Sequence, residues 1–168
     1  YQPTTGETGT LTFTLTANAA GTCTAVNDVM QLIITPSAII NAGTDAETCE
    51  GVAFDFATQF IPAFGINYSS LLWTSTGTGT IAGANTLSPV YTPGVGETGL
   101  VTFTLTAFGN GVCPSVQDQM VLSITPGIIV DAGSNEEICQ GATFSFASQS
   151  VGASASNIAS VFWSHTGS

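Results

Sequence analysis

The sequence is almost without positive charge. Its 168 residues include no lysine and no arginine, against 11 aspartates and glutamates and a single histidine. Binding to nucleic acid or to an anionic lipid surface depends on cationic side chains that neutralise phosphates. We therefore exclude both classes of partner. No stretch approaches the roughly 20 apolar residues that cross a bilayer, so no membrane insertion is expected of this segment.

The residues that catalysis requires are also scarce. His165 is the only histidine, and the residue 90 positions before it is Ser75. A serine or threonine nucleophile needs a base and a stabilising partner, which this composition does not supply. A carboxylate pair of the glycosidase type is not excluded by residue identity, but the acidic residues lie mostly in expected turns. We expect no catalytic residue and no enzymatic activity.

Short apolar runs with a period of two are abundant. Val101, Phe103 and Leu105 alternate with threonines, and the same alternation occurs at 52–56, 71–73 and 120–124. This pattern is typical of strands that pack on one side only. Turns rich in Gly or Pro separate the runs at 50–51, 77–79, 92–94 and 109–111. About seven short strands per repeat, with Trp73 and Trp163 as core residues, predict an all-β fold of immunoglobulin-like sandwiches.

The chain repeats itself at an offset of 90 residues. Residues 1–78 align without a gap to residues 91–168, and 37 of the 78 positions are identical. This period matches one small domain rather than one turn of a solenoid. We place the boundaries at Pro36 and Pro126. They give the C-terminal part of one repeat at 1–36, a complete repeat at 37–126 and the N-terminal part of the next at 127–168. Joints this short favour a stiff rod.

Two cysteine positions recur in each repeat. One is occupied by Cys23 and Cys113, the other by Cys49 and Cys139. No CxxC motif or Cys/His cluster accompanies them, which argues against zinc and favours disulfides in an oxidising, extracellular setting.

Two disulfide pairings are open. A bond within a repeat, Cys49 to Cys113, would close a long loop and stabilise by roughly 4 kcal/mol. The expected strand order places these residues at opposite ends of the sandwich, however. A bond between neighbouring repeats would instead link the turn that carries the Cys49 position of one repeat to the hairpin that carries the Cys113 position of the next. The partners of Cys49 and Cys139 would then follow this segment, and those of Cys23 and Cys113 would precede it.

Carboxylates shared by the copies make calcium the only cofactor to consider. They are the pairs Glu7 and Glu97, Asp28 and Asp118, and Glu47 and Glu137. Calcium takes six to eight oxygen ligands, and such a site between domains would stiffen a rod. The sequence has neither an EF-hand loop nor a DxDxD run, so plain surface charge is the alternative. Glu97, Asp118 and Glu47 are the calcium candidates of the complete repeat, and otherwise we expect no metal or cofactor.

Several motifs of the complete repeat are familiar in this order. They are Ala42-Gly43, Cys49-Glu50-Gly51, 73–77, Tyr91-Thr92-Pro93, 101–107 and 116–120. The order resembles the PKD-like (polycystic-kidney-disease-type) sandwich repeats of very long bacterial surface proteins. The partial copies show the same marks at Cys139 and Trp163. The Asp-Phe-Gly-Asp-type turn that follows the Trp in the standard PKD domain is absent here, so its contacts cannot be transferred.

The resemblance implies a role at the cell surface. Repeats of this type are common in adhesins of Bacteroidetes, including giant proteins exported by the type IX secretion system for gliding or attachment. It implies an extracellular stalk whose partners are its own neighbouring repeats, and which projects a distal region toward a surface or glycan ligand. Two alternatives stay open. One is a glycan- or surface-binding module that uses the loop aromatics Phe60, Phe64 and Tyr68, and the other is a spacer in a secreted enzyme.

Overall fold

The computed structural model describes residues 1–149 and 151–166, and these residues form an all-β chain. The strands are β1 (Gly9–Ala17), β2 (Val26–Ile34), β3 (Ile39–Asn41), β4 (Ala46–Cys49), β5 (Phe54–Asp55), β6 (Phe64–Ile66), β7 (Tyr68–Ser75), β8 (Thr80–Ala82), β9 (Val90–Thr92), β10 (Gly99–Gly109), β11 (Val116–Thr125), β12 (Ile129–Asp131) and β13 (Ser154–Ser156). Two 3₁₀ turns occupy Phe56–Thr58 and Phe146–Ser148. Within the described ranges no helix is long and apolar enough to cross a membrane.

Residues 37–126 contain three sheets. A four-stranded sheet has the order β4-β11-β10-β7, and a three-stranded sheet has the order β5-β9-β8. Strands β3 and β6 form a separate antiparallel pair. The arrangement is consistent with a β-sandwich. Residues 37–126 contain nine strands, whereas the sequence pattern predicted about seven. Several of the nine are only two or three residues long, which is too short to show as an alternating run in the sequence.

An aromatic cluster forms the centre of the core. Phe56 makes edge contacts with Trp73 and Phe103 at centroid distances of 4.9 and 5.1 Å, and Tyr91 meets Phe103 at 4.8 Å. All four side chains are buried, and aromatic pairs in this geometry add stability beyond the area they bury. The indole of Trp73 donates to the carbonyl of Thr86 at 3.0 Å, so its polar group is satisfied. The predicted core role of Trp73 is confirmed.

The alternation in the long strands is confirmed, but the short run at 52–56 is not a continuous strand. Strand β5 covers only Phe54 and Asp55, and Val52 is 52% exposed. The carboxylate of Asp55 accepts a hydrogen bond from the amide of Ala57 at 2.9 Å and caps the 3₁₀ turn that begins at Phe56. A local side-chain acceptor of this kind competes with strand pairing and ends the strand.

The sequence offset of 90 reappears in the strand registers. In the β1–β2 hairpin Phe13 pairs with Met30, and in the β10–β11 hairpin Phe103 pairs with Met120. All nine pairs of the first hairpin, from Gly9–Ile34 to Ala17–Val26, have counterparts 90 residues later. The β12–β13 pair likewise repeats the register of β3–β6. The two stretches of sequence therefore adopt the same backbone pairing.

Trp163 does not occupy the core position that the sequence predicted. Its side chain is 53% exposed, whereas that of Trp73 is 2% exposed. Trp163 stacks on Phe146 at a centroid distance of 4.3 Å. The residues that would match Tyr91 and Phe103 at an offset of 90 lie beyond position 168. Trp73, by contrast, is buried in a cluster that includes Tyr91 of β9 and Phe103 of β10.

One glycine in the complete repeat has no room for a side chain. Gly43 has a φ of +89°, and a Cβ there would lie 2.6 Å from Oε1 of Gln59 and 2.7 Å from the carbonyl oxygen of Ile61. The Gln59 side chain is buried, and its amide donates to the carbonyl of Thr44 at 2.6 Å. Gln149 makes the equivalent bond to Ser134 at 2.9 Å. The close approach of this buried amide explains why Gly43 recurs as Gly133.

We predict that Gly43→Ala lowers the free energy of unfolding more than Gly51→Ala. Gly51 has a φ of +73° with nothing within 4 Å of its would-be Cβ, so only the left-handed backbone is strained there. That strain costs about 1–2 kcal/mol, and overpacking against Gln59 and Ile61 adds about 1–3 kcal/mol at Gly43. Urea unfolding followed by tryptophan fluorescence measures both variants. Equal losses would show that the close contact carries no energetic weight.

Candidate functional site at the junctions between repeats

Carboxylates in this chain accept hydrogen bonds from backbone amides. The Asp118 carboxylate accepts from the amide of Ala42, and the Asp45 carboxylate accepts from the amide of Val121, each at 2.8 Å. Both bonds join β11 to the segment between β3 and β4. An ionised acceptor makes a hydrogen bond roughly twice as strong as a neutral pair does. These two contacts therefore attach the start of the repeat to its last strand through backbone donors.

Glu97 is the centre of a second carboxylate network. Its carboxylate accepts from the Tyr91 hydroxyl at 2.7 Å, from the Gly94 amide at 2.7 Å and from the Thr78 amide at 2.6 Å. The network ties the turn after β9 to the turn after β7. In the first copy the corresponding carboxylate, that of Glu7, accepts from the hydroxyl of Tyr1 and from the amide of Thr4. Glu97 thus has a structural role.

The network changes the ionisation of both partners. Burial opposes the ionisation of Glu97, but the hydrogen bonds from Gly94, Tyr91 and Thr78 outweigh it and lower the pKa of this carboxyl. Burial, followed by the hydrogen bond to Glu97, raises the pKa of the Tyr91 hydroxyl. The pair is therefore an ionised carboxylate with a neutral phenol, which is the combination that gives the strongest hydrogen bond between them.

The structure does not bring the three calcium candidates together. Glu97 belongs to the tyrosine network, Asp118 accepts from Ala42, and Glu47 is an exposed residue of β4. Within residues 1–149 and 151–166, no group of three or more His, Cys, Asp or Glu side chains is placed to hold a metal ion. Two of the three carboxylates are already bonded to protein donors, so the geometry favours structural roles for them.

The joint after the complete repeat is held from both sides. The backbone amide of Glu50 donates to the carbonyl of Thr125 at 2.8 Å, and the Glu50 carboxylate accepts from the Gly127 amide at 3.0 Å. The side-chain amide of Asn157, in the following copy, donates to the Gly127 carbonyl at 2.8 Å. The peptide groups before and after Pro126 are therefore bonded to Glu50 of the complete repeat. The next carbonyl, that of Gly127, is bonded to Asn157 of the following copy.

The preceding joint shows part of the same pattern. The side-chain amide of Asn67 donates to the carbonyl of Ser37 at 3.3 Å, as that of Asn157 does to Gly127. Both asparagines have a left-handed backbone, with φ values of 60° and 58°. Asparagine tolerates this conformation better than most residues do. The recurrence of Asn67 as Asn157 could therefore have indicated its contact at the joint from the sequence. Glu50 could not have been found in this way, because the equivalent residue is Gln140.

The cysteines lie at the two ends of the repeat. Sγ of Cys113 lies 3.5 Å from the carbonyl oxygen of Thr35 and 3.8 Å from that of Pro36. Cys49 pairs in parallel register with Thr125, and its Sγ lies 3.8 Å from the Thr125 hydroxyl. Each sulfur therefore lies at a junction, but the two junctions are different ones.

No disulfide forms among the described residues, and all four cysteines are free thiols. Cys113 precedes the ten-residue strand β11, while Cys49 lies beside its last residue. A strand of that length spans roughly 30 Å, whereas a disulfide requires Cα atoms within about 7 Å. The pairing of Cys49 with Cys113 within one repeat, which the sequence left open, is wrong for this geometry.

The three loop aromatics lie in different environments. Phe60 is 93% exposed, Phe64 lies on β6, and Tyr68 on β7 packs against the core. At an offset of 90 these positions are occupied by Ser, Ser and Ile, so no aromatic feature is repeated there. His165 is also exposed. None of these residues belongs to the junction.

No family model matches this sequence, and no curated protein matches it at a significant level. The resemblance to PKD-like repeats therefore stays a prediction from sequence motifs. We infer the function of the junction from its geometry and chemistry.

We predict that Glu97→Gln destabilises the protein and reduces its sensitivity to acid. Because the folded state lowers the pKa of Glu97, its contribution is present above the unfolded value of about 4.3 and is lost as pH falls through the folded value. Losing bonds to this charged acceptor costs about 1–3 kcal/mol at neutral pH. The stability of the variant should then fall less steeply below about pH 4.

Glu47→Gln is the matched control, because it removes the same charge from an exposed site on β4. Urea unfolding at a series of pH values compares the three proteins. If both variants followed the same pH curve, the network would not be the source of the acid sensitivity.

We predict that removing calcium leaves the melting temperature unchanged. Glu97 and Asp118 already accept hydrogen bonds from protein groups, and chelation would not disturb those bonds. Thermal melting followed by circular dichroism, with excess EDTA and with excess calcium, makes the comparison. A rise in the melting temperature with calcium, reversed by EDTA, would restore the calcium hypothesis.

Proposed function

We propose that this chain is part of an extracellular stalk built from tandem immunoglobulin-like, PKD-like β-sandwiches. Such a stalk projects a distal binding region away from a bacterial cell surface, and its function is mechanical rather than enzymatic. The observation that supports this role best is the joint at Pro126, which is bonded by Glu50 on one side and by Asn157 on the other. A joint fixed from both sides transmits orientation from one repeat to the next.

The shortness of the joints supports the same role. Strand β11 ends at Thr125 and β12 begins at Ile129, so only three residues separate them. One of the three is Pro126, whose ring restricts the backbone. A flexible linker would instead be long and rich in Gly and Ser. The chain therefore has little free backbone at which neighbouring repeats could reorient.

The strand order within the repeat is also suited to tension along the chain. Strand β4, near the start of the repeat, pairs in parallel with β11 at its end, from Ala46–Leu122 to Cys49–Thr125. Tension applied to the two ends of the repeat loads these hydrogen bonds in shear, so they resist together rather than opening one at a time. The Asp45 and Asp118 bonds reinforce the same pair of segments. With strands of 10 and 11 residues, each repeat adds roughly 30–40 Å of length.

The alternatives from the sequence receive less support. A glycan- or surface-binding module needs an exposed recognition surface, and Phe60 is the most exposed of the loop aromatics. That position is Ser150 in the next copy, so an array would not repeat the feature. Binding of the chain to a glycan array would favour this alternative. A catalytic domain elsewhere in the same protein would favour a spacer in a secreted enzyme.

We predict that added repeats lengthen the protein by a constant increment. Appending residues 79–168 after Ser168, once and then twice, continues the period in register. Small-angle X-ray scattering should show the maximum dimension rising by roughly 30–40 Å with each addition, whereas a flexible string would grow with the square root of its length. Growth of that weaker kind would contradict the stalk.

The contribution of the joint is tested by replacing its carboxylate. Glu50→Ala removes the carboxylate that accepts from the amide of Gly127. Gln140→Ala, with the same change in each added copy, removes the side chain at the equivalent position of the later joints. We expect smaller increments in maximum dimension. Glu47→Ala is the matched control, because this residue is exposed on β4 and leaves the joint intact.

A further inference from the structure

We propose that a disulfide links neighbouring repeats across each junction, between the cysteine at the Cys49 position of one repeat and the cysteine at the Cys113 position of the next. The proposal rests on the tandem array of the proposed function and adds a covalent bond to it. It concerns arrays in which one complete repeat follows another.

The offset of 90 places the two sulfurs at the same residue. Thr35 and Thr125 occupy equivalent positions, each followed by the boundary proline. Sγ of Cys113 lies 3.5 Å from the Thr35 carbonyl oxygen, and Sγ of Cys49 lies 3.8 Å from the Thr125 hydroxyl. When the two junctions are superimposed in register, one sulfur contacts the carbonyl and the other contacts the hydroxyl of a single threonine. The two thiols then both contact one residue of the junction.

At each of the two junctions the structure describes one of the two sulfurs. At the joint after Pro36, Cys113 is present, but the position equivalent to Cys49 in the preceding copy falls before Tyr1. At the joint after Pro126, Cys49 is present, but the position equivalent to Cys113 in the following copy falls beyond Ser168. Cys23 and Cys139 lie at the outer ends of their partial copies and are exposed. Cys113 and Cys49 therefore each occupy one half of a junction.

The thiols are placed to be oxidised. Cys49 is exposed and Cys113 is partly buried, so an oxidant has access to at least one sulfur of each pair. A small or protein disulfide serves as oxidant by exchange. The Cys49 thiolate attacks it and forms a mixed disulfide, and the second cysteine then displaces the remaining thiol. One disulfide is consumed, two thiols are released, and one bond between repeats is formed.

The bond would limit how far the stalk extends if its repeats unfold. In a continuous array the disulfides overlap along the chain. The shortest covalent path across two repeats then runs through one disulfide and the 27 residues from Cys113 to Cys139. Fully extended, that segment measures at most about 90 Å. Two folded repeats span roughly 60–80 Å, so unfolding would lengthen the stapled array very little.

A competition between the two pairings tests the proposal. The chain is extended once by residues 79–168, and its original Cys113 is changed to Ser. The Cys113 of the added copy then has two possible disulfide partners. They are Cys49 across the junction and Cys139 within its own repeat. After equilibration in a glutathione redox buffer and alkylation, glutamyl endopeptidase and chymotrypsin release peptides for mass spectrometry without reduction. Trypsin is of no use, because the chain has no Lys or Arg.

We expect a peptide in which Cys49 is linked to the added Cys113. A link to Cys139, or complete alkylation of both cysteines, would overturn the proposal. Cys49→Ser in the same chain should abolish the link, whereas Cys139→Ser should leave it. Circular dichroism of the reduced chains checks that all the variants fold. If the maximum dimension rises linearly but no link forms, the disulfide is rejected and the stalk is still supported. If the link forms but the maximum dimension does not rise linearly, the stalk is rejected and the disulfide is still supported.

Discussion

The absence of lysine and arginine is the constraint on which the other contacts depend. A carboxylate that leaves water needs donors, and the donors that Glu97, Asp118 and Glu50 meet are backbone amides and a hydroxyl. Glu97, Asp118 and Glu50 each satisfy this requirement in a different place. Glu97 ties two turns together, Asp118 joins the start of the repeat to β11, and Glu50 fixes the joint. One chemical solution therefore supports the turns, the sandwich and the connection to the next repeat.

The contacts at the joint after Pro126 follow directly on the pairing of β11. The last residue of β11 pairs with Cys49, and the next residue but one, Gly127, donates to Glu50. Hydrogen bonding thus continues from the end of the strand pair into the linker, where a side-chain carboxylate takes the place of a backbone acceptor. The amide of Asn157 reaches the same glycine from the following copy. In a chain whose joints were held only by exposed ion pairs, each contact would be worth about 0–1 kcal/mol and would weaken with salt.

The structure follows the sequence most closely where one physical requirement dominates. The alternation around Phe103 and Met120 predicts buried strand faces, because only one face of each strand can leave water. The alternation predicts the structure less well where a local contact competes with strand pairing. Asp55 is an example, because its side chain caps a turn and ends the strand. Trp163 shows a further limit. Its surroundings in the sequence match those of Trp73, but burial depends on strands distant in the chain.

The sequence by itself determined the period, the all-β class and the positions of the cysteines, since these follow from spacing and from the pattern of apolar residues. Only the tertiary structure decided that Cys49 and Cys113 of one repeat do not meet. The parallel register of Cys49 with Thr125 places that thiol at one end of the repeat, and the hairpin before β11 places Cys113 at the other. Parallel pairing joins segments far apart in sequence, and no local pattern specifies its register.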